Sequence, residues 1–171
     1  MLLSLLSACG YHLRGGEASI LAGARIALES KQPNGEFEKQ LTKRLKRAGA
    51  QLDFSGQPAQ FSLEIIDLEI TFQGVSRDQS GRANEQIVSA RLSYLWLALS
   101  DNDNANANAS PGPGREISEP QTLTVSANYV QDYINPIGEE TQKKQTRRLL
   151  LEKLSQQLVQ RLQRLTQNAT N

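Results

Sequence analysis

The side chains able to do covalent or metal chemistry are few: one cysteine, Cys9, and one histidine, His12, in a chain of 171 residues. A single cysteine forbids an internal disulfide and any multi-thiolate metal site. A single histidine beside it excludes a multi-histidine metal centre and argues against a histidine-based triad. The loop signatures of phosphate binding, dinucleotide binding, zinc proteolysis and serine hydrolysis do not occur in the sequence. Carboxylates gather at Glu64, Asp67 and Glu69 and at Glu139 and Glu140, the first set on a solvent-facing strand parity and the second in a helix first turn. Nine aromatic residues (one Trp, four Tyr, four Phe) are too few to line the concave cleft that a glycosidase-like acid pair needs. These residues predict no enzyme, no non-covalent cofactor and no resident metal. With 19 basic and 18 acidic side chains the formal charge is +1, so no field draws the chain to nucleic acid and no nucleic-acid partner is expected.

A lone thiol can still carry a lipid. Residues 1–8 (MLLSLLSA) form an apolar run that stops at Cys9, well short of the ~20 residues a spanning helix needs and similar to the apolar region of a secretory signal. The usual basic leader is missing, so either the true start lies upstream or the numbering begins inside the signal. Leu6-Ser7-Ala8-Cys9 resembles a bacterial lipobox. Small residues at 7 and 8 let a peptidase approach, and only a thiol can form the thioether. On this reading residues 1–8 are cleaved, and Cys9 becomes a mature N-terminus bearing an N-acyl group, such as palmitate, and an S-diacylglycerol. At about 0.8 kcal/mol per buried CH₂, three chains make an effectively permanent anchor where one would be marginal. The plainer alternative is a truncated core segment with a buried cysteine. Gly10 follows, and by resemblance to lipoprotein sorting in Gram-negative bacteria a non-aspartate there favours the outer membrane.

The elements that must position such a body follow from periodicity. Residues 24–30 alternate, with Ile26 and Leu28 on one face, as a short strand. Pro33-Asn34-Gly35 breaks the chain, and Asn34 or a neighbour can cap a helix from Glu36. Phe37, Leu41, Leu45 and Ala48 make its apolar stripe, Gly49 its C-terminal stop, and Lys39, Lys43, Arg44, Lys46 and Arg47 a basic remainder best read as a solvated face. Residues 60–73 form the clearest strand, with a phase slip: Phe61, Leu63 and Ile65 hold one parity, and Ile66, Leu68, Ile70 and Phe72 hold the other. A β-bulge near Ile65-Ile66 would return both halves to one core face; a strand crossing between packing layers is the alternative.

Residues 74–81 read as a turn-rich loop carrying Arg77, with Arg82 just beyond. A third strand, about 84–99, buries Val88, Ala90, Leu92, Tyr94 and Trp96. The tract 101–114 (DNDNANANASPGPG) has no apolar side chain larger than alanine and is expected to be a mobile loop. Residues 121–131 alternate with Leu123, Val125, Ala127 and Tyr129 inward, completing a hairpin with the third strand. A final helix follows Pro136, polar all round over 139–148 and then striped by Leu151, Leu154, Leu158, Leu162 and Leu165. Its second half should dock while its first turns project or meet a partner. The expected fold is α+β, a two-layer sandwich with a four-stranded sheet and two helices on one face, in the order β-α-β-β-β-α. It is read as a single domain over 9–166 with a short tail at 167–171.

Cys9-Gly10-Tyr11-His12-Leu13-Arg14 resembles the mature start of the LPS-assembly lipoprotein family, the small lipoprotein subunit of the outer-membrane lipopolysaccharide translocon. Weaker likeness extends to Val75-Ser76-Arg77, Ala83-Asn84-Glu85-Gln86, Asn135-Pro136 and the leucine-striped last helix. The resemblance implies a plug seated one-to-one in the lumen of the LPS-assembly β-barrel, facing the periplasm, assisting barrel assembly and contacting lipopolysaccharide during export. The Ser-, Thr-, Asn- and Gln-rich outward parity of the strands suits wet, hydrogen-bonded contacts in such a lumen, though an ordinary hydrated sheet face reads the same way. Lipid A phosphates call for basic contacts. Arg77 matches the family's basic loop position, Arg82 neighbours it, and Lys143 and Lys144 open the final helix with Arg147 and Arg148. The alternative function is a free outer-membrane lipoprotein acting as a lipid-binding or envelope scaffold module.

Overall fold

The computed structural model describes residues 20–53, 57–77, 83–99, 119–130 and 136–170. In chain order they form β1 (Ile26–Ser30), α1 (Glu36–Arg47), β2 (Phe61–Arg77), β3 (Ala83–Ala98), β4 (Gln121–Val130) and α2 (Pro136–Thr170). The strands lie in the order β1-β2-β3-β4, with β1 parallel to β2 and the other pairs antiparallel. A parallel pair needs a crossover, and α1 supplies it. The architecture is the expected α+β arrangement, β-α-β-β-β-α, with a mixed sheet.

The phase slip in β2 is a bulge. Ile65 faces Tyr94 and Asp67 faces Ser93, so Ile66 is the extra residue. On either side of it Leu63 faces Trp96 and Leu68 faces Leu92, so both halves of the strand address the same side. That side meets an unbroken row on β3, where Val88, Ala90, Leu92, Tyr94 and Trp96 are all buried. Phe61 stacks on Trp96 with ring centroids 5.0 Å apart and planes 8° from parallel, a diagonal cross-strand contact.

The loop expected over 74–81 begins later than the sequence suggests. Gly74 pairs with Gln86, Ser76 with Glu85 and Arg77 with Ala83, through two further register shifts. Turn-forming residues such as Gly74 and Ser76 are absorbed as irregularities in a ladder rather than ending it. Arg77 therefore closes a strand, and residues 78–82, Arg82 among them, lie outside the described segments. So do Cys9 and the 101–114 tract.

Helix α1 buries Phe37, Leu41 and Leu45, as its stripe requires. Gly35, not Asn34, occupies its N-cap, with no side-chain cap bond. Its C-terminus closes in a Schellman motif: the Ala50 N–H donates to the Leu45 carbonyl at 3.1 Å and the Gly49 N–H to the Lys46 carbonyl at 3.0 Å. Gly49 has φ +83°, and a Cβ there would stand 3.0 Å from the Ala22 Cα. Glycine thus satisfies both a left-handed turn and a close backbone approach. The approach is cemented by the Gly23 N–H donating to the Gly49 carbonyl at 2.9 Å.

Helix α2 packs on β3 and β4 and against α1. Leu150, Leu151, Leu154, Leu158 and Leu162 are buried, whereas none of residues 138–149 is. The second half is docked, as the sequence predicts. At its far end the helix runs on to Thr170, past the expected boundary at 166. The Arg44 guanidinium reaches the Glu152 carboxylate at 2.9 Å and joins the two helices on the outside. In so exposed a position the pair is worth at most about 1 kcal/mol.

Two outcomes test this account. Deleting Ile66 leaves both halves of β2 in phase and should preserve a cooperative thermal melt. Deleting Ser93 from the unbulged β3 turns one half of its buried row to solvent and should abolish that cooperativity. Gly49→Ala should destabilise by about 1–2 kcal/mol from the left-handed backbone alone, more with the Ala22 overlap, as read by urea unfolding.

Candidate functional site

The face of the sheet opposite the helices is set by the same register. Its rows read Thr71–Ser89–Ser126, Glu69–Arg91–Thr124, Asp67–Ser93–Thr122 and Gln73–Ile87–Asn128 across β2, β3 and β4. Hydroxyls and amides dominate, and Thr122, Thr124, Ser126 and Asn128 of β4 are all exposed. Glu64, Asp67 and Glu69 are exposed here too, which fits solvated carboxylates. Toward the β1 end the polar character gives way: Leu95 and Leu97 of β3 share this parity and are half-buried. Sequence parity missed them because the larger signal, the buried row on the same strand, masks two leucines on its other side.

The candidate contacts sort by where the register puts them. Tyr129, Gln86 and Gly74 form one row across the sheet. The Tyr129 hydroxyl donates to the Glu139 carbonyl at 3.4 Å, and the Arg161 guanidinium reaches the Thr122 carbonyl at 3.5 Å. Helix α2 therefore runs antiparallel to β4, with its first turns over the row that ends at Gly74. Arg77 stands three positions beyond Gly74 in the chain. The backbone of Arg77 and the opening turns of α2 thus share one end of the sheet, although they are about 60 residues apart in sequence.

The two lysines are held differently. The Lys143 ammonium donates to the Glu139 carboxylate at 2.7 Å, an i,i+4 pair with Glu139 largely covered. Lys144 lies 3.8 Å from Glu140, and both are well exposed. The hydrogen bond to Glu139 holds Lys143 above the ordinary lysine value of 10.5. Burial pushes the Tyr129 hydroxyl above its ordinary 10.0, with Glu139 adding to the shift and Lys143 opposing it. Lys144 is the cation freer to take an external anion.

Apolar side chains flank this end. On β2 Phe72 is 48% and Val75 57% exposed, and farther along α2 Leu149 is 55% exposed. Phe72 belongs to the core-facing parity, so its exposure marks where the helical layer stops covering the sheet. Among the described residues no group of three or more His, Cys, Asp or Glu could hold a metal ion. None of the described helices is long and apolar enough to cross a membrane. The arrangement can bind by hydrogen bonds over a broad face, and by mixed cationic and apolar contact at one end.

An open mixed sheet covered on one face by two helices defines the fold class, and solved structures share it. Rare lipoprotein B from Shewanella oneidensis superposes with a TM-score of 0.67 at 12% identity, over 86% of this chain and 99% of that one. Lipoprotein B from Nitrosomonas europaea gives 0.68 at 15% identity over 92% and 93%. A minor lipoprotein from Acinetobacter baumannii gives 0.61 at 21% identity over 84% and 92%. At these identities the likeness establishes a common fold over nearly the whole length of each. No protein-family model matches the chain, and no curated protein matches its sequence.

The junction of α2 with β4 carries a pH signature. Tyr129 and Lys143 both keep their protons more tightly folded than unfolded. The native state then binds more protons around and above pH 10, and stability falls as pH rises through that window. At neutral pH the Lys143–Glu139 contribution is fully present. Tyr129→Phe combined with Lys143→Met should flatten the alkaline fall in Tm between pH 9 and 11, relative to the unsubstituted protein.

Proposed function

We propose that the chain is an outer-membrane lipoprotein, anchored through acylated Cys9, that plugs the LPS-assembly β-barrel one-to-one and contacts lipopolysaccharide on its way to the surface. One juxtaposition carries the reading. A lipobox-like Leu6-Ser7-Ala8-Cys9, continued as Gly10-Tyr11-His12-Leu13-Arg14, stands just upstream of a domain whose fold is that of three solved bacterial lipoproteins. The polar open face supports the barrel-lumen part, because a lumen offers polar side chains and water rather than an apolar groove. The Arg77 end supports the lipopolysaccharide part, since exposed Phe72 and Val75 suit acyl chains and Lys144 suits a phosphate. Anchoring places the body in the periplasm-facing envelope and requires no catalysis by it.

Mass spectrometry of the mature protein should find Cys9 as the N-terminus, carrying N-acyl and S-diacylglyceryl groups. Mild detergent extraction should recover a stable equimolar complex with a large β-barrel. A detergent-soluble monomer would favour instead a free lipid-binding or scaffold module. Reversing Arg77 and Lys144 to Glu should lower lipopolysaccharide pull-down at least about tenfold, as losing two charge-assisted contacts requires, with an unchanged melting curve. Undiminished pull-down would reject those two residues as the phosphate contacts.

A further inference from the structure

The outward face of α1 is a second charged surface, remote from the Arg77 end and unused by the function above. Lys39, Lys43, Lys46 and Arg47 are all exposed. At 100° per residue they fall within a 100° arc on the side opposite Phe37, Leu41 and Leu45. Lys46 is paired with Asp53 at 3.1 Å. No ion pair among the described residues engages Lys39, Lys43 or Arg47. Glu36 shares the face but only at its first turn, so positive charge accumulates toward the C-terminal end of the helix. For a protein with a formal charge of +1 this is a strong local asymmetry.

The chain enters the domain beside that same end. Gly23 donates to the Gly49 carbonyl, and Ala22 lies against Gly49, two residues past Arg47. Cys9 is eleven residues before Ile20, the first described residue. Eleven residues reach at most ~40 Å. That span allows the basic end of α1 to reach whatever surface holds Cys9, where charges within a Debye length of about 8–10 Å feel it.

We propose that this face of α1 docks on the anionic headgroups of the bilayer that holds the anchor, orienting the domain before the barrel takes it up. The occupant is a phospholipid surface, for which dispersed lysines suffice because headgroup phosphates are laterally mobile and need no fixed pocket. The proposal rests on the anchored reading, but its test does not. The full chain with Cys9→Ser, which cannot be acylated, is floated with vesicles of phosphatidylcholine alone or with 30% phosphatidylglycerol. The neutral vesicles report the share of the apolar N-terminus.

Binding should rise on the anionic vesicles at low salt and fall in 0.5 M NaCl. At about fivefold per cation near such a surface, K39Q/K43Q/R47Q should lose on the order of 100-fold of the anionic increment. The equally charged variant K153Q/R161Q/R164Q on α2, outside the proposed phosphate contacts, should keep it, and both should melt as the parent does. Three results would overturn the proposal: no anionic increment, an increment untouched by the α1 substitutions, or equal loss in both variants. The last would mean net charge rather than this face. A bare Cys9 found by mass spectrometry would remove the anchor while leaving the vesicle result to stand or fall alone.

Discussion

Strand β2 has to serve β1 on one side, β3 on the other and the helical layer above, with side chains that alternate every residue. Over 17 residues a single slip of phase would turn half its apolar set to water. The bulge at Ile66 resolves this. It lets Phe61, Leu63 and Ile65 and then Leu68 and Ile70 meet one continuous row on β3. Register across the rest of the sheet follows from it, since β3 fixes β4 and β2 fixes β1. The polar rows of the open face, and the coincidence of the Arg77 end with the start of α2, are consequences of the same alignment.

The helical layer is built unevenly on that sheet. Helix α1 is short, fully striped and closed by a Schellman turn at Gly49. Helix α2 spans 35 residues, about 52 Å, against about 34 Å for the ten residues of β4. It therefore outruns the strand it covers, and its leucines gather in the half that also meets α1. The other end carries a contact through Tyr129 and a pair of i,i+4 ion bridges. The charged and partly apolar end of the molecule is thus the part the core does not reach.

Much of this was legible because the core signals are redundant. Phe37, Leu41 and Leu45, the buried row on β3 and the leucines of α2 each repeat at a period that only one secondary structure satisfies, while the phase slip at Ile65-Ile66 admitted a bulge or a change of layer until the pairing on β3 chose the bulge. The Arg77 segment was not legible, because Gly74 and Ser76 look the same in a turn and in an irregular ladder. Only pairing with Gln86 and Glu85 distinguishes them. Buried Glu38, which accepts from the Ser30 hydroxyl at 2.8 Å, was invisible for a related reason: its partner comes from another element. The commitment of Lys143 to Glu139 could have been found from the four-residue spacing, whereas the closeness of both to Tyr129 could not.

The uneven cover also sets how the molecule breathes. Opening the first turns of α2 and the far reach of β2 and β3 uncovers chiefly Tyr129 and Val88, since Phe72 and Val75 already meet water. Such an excursion costs a small part of global unfolding, while any opening near Trp96, Leu41 and Leu158 costs nearly all of it. The domain is a firm root with a pliant tip, and the two can move on different scales of free energy.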